Sequence, residues 1–374
     1  MSELWTERAD AAEAAVDSRH IRRLWALPGT AMGVVGWPPV RRERLFLTWH
    51  YWWQAHLIDL AVDAAERDAT PRRRRRVVRL TRTHRIRNLT GWTNNYYDDM
   101  AWLGLALERA QRHLLVDHRK GIADLEDALF AAWQPERGGG LPWRRRDNFF
   151  NTPANGPAGL LLSRTGKVWR AQEIADWIDE TLKDPETGLI FDGIRNGKIE
   201  RAIYSYCQGV VLGLETDLAI RIGDDRHRKR VHALVDAVDL ELADASVITG
   251  GGGGDGGLFN GILARYLAMV ATSLPVHDVD DERARNTAAR LVLMSADAAW
   301  DNRLQIEELP LFGRDWSVQA RLPGSGHAIA RFSGGTVHES EIAERDLSVQ
   351  LGGWMLMEAA HAVATERALR SSQP

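Results

Sequence analysis

The chain reads as all-α, an (α/α)6 barrel or toroid of six inner and about six outer helices, in one domain over residues 1–374. Three observations carry that reading. Apolar residues recur at helical spacing in segment after segment, and few stretches show the alternation or β-branched enrichment of strands. The helical segments are of two kinds, apolar nearly all round or amphipathic with one charged side, and a helix apolar on every face belongs between other elements. Starts of the first kind recur about every fifty residues through the first five, one helical hairpin each, a period shared by closed toroids and open α-solenoids. The loops differ greatly in composition, which fits loops shaped for a site better than spacers in a scaffold.

Along the chain, 7–26 and 44–65 are read as the first two helices; within the second, Trp49 to Val62 is apolar all round. The run Arg72 to Arg76, leading into Val77, Val78 and Leu80, reads as the solvent side of an outer helix. At 99–114, Trp102 to Ala110 repeat apolar side chains among good helix formers, and Asn95 to Asp99 supply acceptors that cap the start. The stretch 120–133 is amphipathic. Asn151 to Leu162 makes 153–163 a buried helix, followed by 169–182. Tyr204 to Leu218 is the apolar core of 201–222, and 225–243 after it is charged on one side. Gly257 to Val270 plays the same part in 257–273, ahead of 280–300, and Asp346 to Ala360 closes the series within 345–368.

With 44% apolar and 26% charged residues the composition is that of an ordinary globular chain. The net charge of −3 argues against a nucleic-acid partner, whose binding face carries a basic excess. No stretch approaches the roughly 20 apolar residues of a membrane span, so no membrane insertion is expected. The opening Met1 to Asp10 has acidic residues and no apolar run, which places the product in the cytoplasm on sequence grounds. A lone cysteine, Cys207, excludes an intrachain disulfide and a cysteine metal cage. No histidine cluster or carboxylate spacing demands a metal, and no cofactor is expected.

Chemistry is expected at Asp98 and Asp99. Adjacent like charges either face water or form a site where one carboxyl keeps its proton. The rings of Trp92, Tyr96, Tyr97 and Trp102 lie close in sequence and would wall the pair. Two glycine runs, Gly138 to Gly140 and Gly250 to Gly254, precede apolar helices; the second lacks the Lys-Ser/Thr ending of a phosphate loop and reads as a mobile rim loop.

Six blocks, in order over roughly residues 49 to 267, make the chain resemble glycoside hydrolase family 76, the endo-acting α-1,6-mannanases. They are Tyr51 to Leu57, Tyr97 to Trp102, Gly138 to Trp143, Asn151 to Gly156, Ser205 to Gly209 and Phe259 to Leu267. The Asp98-Asp99-Met100-Ala101-Trp102 block is the most specific. The resemblance implies an (α/α)6 barrel, hydrolysis of α-1,6-linked mannan or mannooligosaccharides with retention, Asp98 as nucleophile and Asp99 as general acid/base. Retention needs carboxyls only about 5–5.5 Å apart, which consecutive side chains at a helix start can span. Asp98 should then be ionised and held by donors, and Asp99 should lie against apolar surface with its pKa raised.

A polyol substrate needs ring faces to stack on and partners for hydroxyls. Trp52, Trp53, Tyr97, Trp102 and Trp143 are candidates for the first; Asn95, Asn151, Asn155, Tyr206, Gln208 and Asp255 for the second. His56 reads as a satisfied core histidine. Glu339, Glu341 and Glu344, in the weakly patterned 301–345, are expected to face water. Cys207 stands where the family commonly has Asn. Competing readings are a sugar epimerase or isomerase on the same toroid, using His50, His56 or His361, an inactive glycan-binding protein, and an open solenoid scaffold; the oligomeric state is not legible.

Overall fold

The apolar helices pack side by side because none has a polar face to turn outward. A computed structural model describes residues 2–89, 91–114 and 116–372. The inner helices are α3 (Tyr51–Arg67), α5 (Tyr97–Leu114), α7 (Thr152–Arg164), α9 (Ser205–Ile222), α11 (Phe259–Ser273) and α13 (Leu347–Ser371). The outer ones are α1 (Ser2–Arg19), α4 (Pro71–Arg87), α6 (Arg119–Phe130), α8 (Val168–Leu182), α10 (Asp225–Glu241) and α12 (Val279–Asp301), and α2 (Arg41–Arg44) is a single turn. Each inner helix touches the next, and α13 touches α3. The ring is closed, which removes the open solenoid.

Outer helices back their inner partners, α4 on α3 through α12 on α11, while α1 covers α13. The first helix of the chain thus seals the last. Every residue of α7 from Thr152 to Ser163 is buried. Glycine lets the inner backbones close up: a Cβ on Gly209 would stand 2.7 Å from the Leu263 Cα, and one on Gly261 2.8 Å from the Gly352 Cα.

Several boundaries differ from the sequence reading, each for a local reason. The first helix stops at Arg19, because Ile21–Arg22 pairs antiparallel with Met32–Gly33. The second begins at Tyr51; positive φ at Phe46 and His50 breaks the helical path before it. The helix read from 201 starts at Ser205, since Lys198–Ile203 belongs to a three-stranded antiparallel sheet with Phe191–Arg195 and Phe149–Asn151. Within 301–345 lie two hairpins, Leu304–Ile306 with Leu309–Leu311 and Arg331–Ser333 with Thr336–His338. Of the arginine run, Arg72 is exposed as expected. Arg73 and Arg76 instead turn inward to α1, where both pair with Glu13.

Candidate active site

The N-terminal ends of five inner helices and the loops before them surround a cavity of about 900 Å³. Its floor is the start of α5. Asp98 and Asp99 are half-buried, open to the cavity and otherwise enclosed by protein. Asp98 accepts two hydrogen bonds, from the Trp143 indole Nε1 at 2.9 Å and from the backbone N–H of Asp99 at 2.9 Å. Among the described residues Asp99 accepts one, from the Asn94 amide at 2.5 Å. Burial pushes Asp98 up to about 7 against the pull of its donors, so it is not held in the ordinary carboxylate range that the sequence suggested. Asp99 is raised well above its usual value, first by burial and then by the charge of Asp98. The pair thus titrates in the order expected of a weaker and a stronger proton holder.

The loop carrying Trp143 is fastened along this helix start. Tyr97 N–H donates to the Trp143 carbonyl at 2.9 Å, Arg145 N–H to the Asn95 carbonyl at 2.9 Å, and Tyr96 N–H to the Asn94 side chain at 2.8 Å. Across the cavity Asp255 accepts from Trp52 Nε1 at 2.8 Å, Trp53 Nε1 at 2.9 Å and Val337 N–H at 2.7 Å. Burial lifts its pKa to about 6 in spite of these donors. The Trp52 indole is therefore clamped at its edge. Beyond it Tyr206 and Phe259 stack at 4.1 Å, forming with Trp52 and Trp102 an aromatic wall.

Of the residues singled out from sequence, Trp52, Asn95, Asp98, Asp99, Trp102, Trp143, Asn151, Tyr206 and Asp255 line this cavity. Asn151 also caps α7, accepting from Ala154 N–H at 3.2 Å. Tyr97, Trp53, Asn155 and Gln208 stand outside the wall. Asn155 and Gln208 are wholly buried and bonded to backbone: Asn155 to both polar groups of Leu141, Gln208 to both of Ile190. His56 packs between Trp52 and Trp102, but its Nε2 has no partner, so it is unsatisfied; burial lowers it to about 3 and keeps it neutral.

Other lining residues were not expected as substrate contacts. Asp192 is pushed up to about 7 by burial and by Glu200. His50, at the start of α3, is lowered to about 4 by burial, and its Nε2 is buried without a partner. The hairpin 331–338 with Glu339 forms one rim. Glu339 bonds Arg314 at 2.6 Å there, Glu341 is exposed, and Glu344 is buried rather than facing water. The second glycine run is held rather than free: Gly253 N–H donates to Glu339 at 3.2 Å and Gly254 N–H to Asp346 at 2.9 Å. A Cβ on Gly254 would collide with the Val337 carbonyl, so glycine lets the rim hairpin lie against this backbone.

Among the described residues one trio, His232, Asp278 and Asp281, brings possible metal-ligand atoms within 4.8 Å of one another. It lies on α10 and at the start of α12, outside the cavity, and Arg228 already pairs with both aspartates.

The family description for glycosyl hydrolase family 76 matches residues 9–340. Among solved structures, the GH76A α-1,6-mannanase of Salegentibacter sp. HEL1_6 superposes with a TM-score of 0.78 at 27% identity, over 95% of this chain and 98% of its own. An inactive variant of that enzyme, with two consecutive aspartates changed to alanine and α-1,6-mannotetrose bound, gives 0.78 at 26% identity over 96% and 99%. The Lin0763 protein of Listeria innocua, at 22% identity and a TM-score of 0.80 over 97% and 98%, shares the fold. No curated protein matches the sequence.

Proposed function

Because the chain belongs to glycosyl hydrolase family 76, and is thus a glycoside hydrolase, we propose that it cleaves α-1,6-linked mannan or mannooligosaccharides with retention, through Asp98 as nucleophile and Asp99 as general acid/base. The observation that carries the assignment of roles is the unequal set of donors on the two carboxylates. Two N–H groups on Asp98 favour the charge that an attacking oxygen needs; Asp99, with one amide donor and an anionic neighbour, keeps the proton that the leaving oxygen needs.

In the first step Asp99 gives its proton to the glycosidic oxygen as an Asp98 oxygen bonds to the anomeric carbon and the C–O bond breaks. In the second, Asp99 takes a proton from water, whose oxygen attacks the same carbon and releases Asp98. Ring faces at Trp52, Trp102 and Tyr206 suit sugar stacking. The mannotetrose complex of the Salegentibacter enzyme, captured with consecutive aspartates removed, supports both the linkage and the pair.

The test is hydrolysis of α-1,6-mannotetraose followed by proton NMR. The α-anomer should appear first, and Asp98→Ala and Asp99→Ala should each lower kcat by at least about 10²–10⁴-fold, the range for removing a positioned proton donor. A first-formed β-anomer, or cleavage that survives both substitutions, overturns the proposal.

A further inference from the structure

The segment between α1 and α3 projects beside the cavity, and its surface is of unusual make. Between His20 and Ile58 the sequence has one carboxylate, Glu43. That residue is 2% exposed and is taken by Arg345 at 2.9 Å. Arg22, Arg23, Arg41, Arg42 and Arg44 are all exposed, and among the described residues none pairs with a carboxylate. What hydrogen bonds three of them make run to neutral oxygens, Arg22 to the Ser18 carbonyl, Arg42 to Thr48 and Arg44 to the Pro39 carbonyl. The adjoining α4 has no acidic residue. Its exposed Arg82 backs onto Gly29, and Thr83 fastens the helix to Ala31 N–H at 2.9 Å.

Apolar tips stand among these charges. Trp25 is 48% exposed, Leu27 42%, Leu45 44% and Leu47 65%. They form one group rather than scattered singles: Trp25 Nε1 donates to the Leu45 carbonyl at 2.8 Å, and Leu47 with Arg42 lines the cavity mouth. Trp25 and Ala26 hold positive φ, a conformation unfavourable for residues with a Cβ, and this turn carries the indole outward.

We propose that this face docks on an anionic lipid bilayer, which would set the cavity mouth at the membrane surface. Unpaired arginines without intervening acids match anionic headgroups. Exposed indole and leucine tips match the boundary between headgroup and acyl chain, where an indole places its ring in the apolar layer and its N–H among polar groups. A water-soluble polyanion such as duplex DNA could use the arginines but would leave the leucines in water. No described helix is long and apolar enough to cross a membrane, so the contact is superficial. The inference does not depend on the sugar the cavity takes.

The test uses the whole chain with phosphatidylcholine vesicles, with and without phosphatidylglycerol, and with lipids brominated along the acyl chain. Wild type should sediment with the anionic vesicles alone, and its tryptophan emission should be quenched by the brominated lipid. The triple variant R23A/R41A/R44A should bind on the order of a hundredfold more weakly, about fivefold for each charge near the surface. Trp25→Ser should lose most of the quenching while keeping the wild-type melting temperature. The proposal fails if anionic vesicles do not retain the protein, if Trp25→Ser is quenched like wild type, or if duplex DNA binds equally tightly and the triple variant leaves vesicle binding intact.

Discussion

Trp143 reaches Asp98 from a loop forty-five positions away in sequence, and its indole N–H is the side-chain donor that favours the charged form of that carboxylate. Activity by the proposed route requires Asp98 ionised and Asp99 protonated, so the rate should peak between their two pKa values. The acidic limb then belongs to Asp98, near 7 in the free enzyme. Trp143→Phe removes the donor and keeps most of the ring packing against Tyr96 and Phe149. A hydrogen bond to a charged group is worth about 1.5–3 kcal/mol, so the limb of kcat/KM should move to higher pH by on the order of one unit. An unmoved limb with lower kcat would mean that Trp143 only packs. The aspartates were legible because the two candidate carboxylates are neighbours in the chain at a recognisable helix start. Asp192 was not, for it meets the site only when separate loops fold over one another, and Phe191-Asp192-Gly193 has no pattern to mark it; the sequence marks His50 only as a proton shuttle for the rival epimerase.

At the level of single helices, four inner ones share a device, two of whose members, Asn155 and Gln208, the sequence marks as candidates for binding hydroxyls. Gln54, Asn155, Gln208 and Gln350 each occupy the fourth position of their helix. Each accepts from one backbone N–H and donates to the carbonyl of the same residue, namely Gly33, Leu141, Ile190 and Phe312. A side-chain amide thus imitates a paired strand and pins the incoming loop to the helix that positions the site. That buried amides require partners was readable; that the partners are backbone was not, since it depends on which loop crosses the helix. The recurrence three residues past each helix start is the signal that could have shown it. Gln208→Leu should leave both Ile190 groups bare, and at about 1–3 kcal/mol for each buried unsatisfied group it should lower unfolding free energy by about 2–6 kcal/mol. A substrate-binding Gln208 would instead raise KM with an unchanged melt, so thermal denaturation alongside kinetics separates the two roles.

Over the whole molecule, the alternation of apolar and charged helices was enough to predict a ring, because a helix without a polar face has nowhere else to go. How the ring closes was hidden, since closure joins residues from opposite ends of the chain. The seam is ionic. Arg67, at the end of α3 with its side chain 1% exposed, pairs with Glu13 of α1 at 3.1 Å and with Glu358 of α13 at 3.0 Å. Burial raises Glu358 to about 8, and Arg67 is the largest influence drawing it back. A carboxyl whose pKa in the fold exceeds its ordinary 4.5 binds protons that the unfolded chain releases, so its contribution to stability declines as pH rises from about 4.5 to about 8. Arg67→Met fits the space but strands Glu358, while Glu13 keeps Arg73 and Arg76, and removing one partner of a buried pair costs about 3–5 kcal/mol. Glu358 should then hold its proton to still higher pH, which extends the decline. Guanidinium denaturation at about pH 6 and about pH 8.5 should therefore show a larger deficit for the variant at the higher pH. A deficit below about 1 kcal/mol and equal at both, the behaviour of an exposed pair, would mean that the seam is held by apolar packing of α1 on α13 alone.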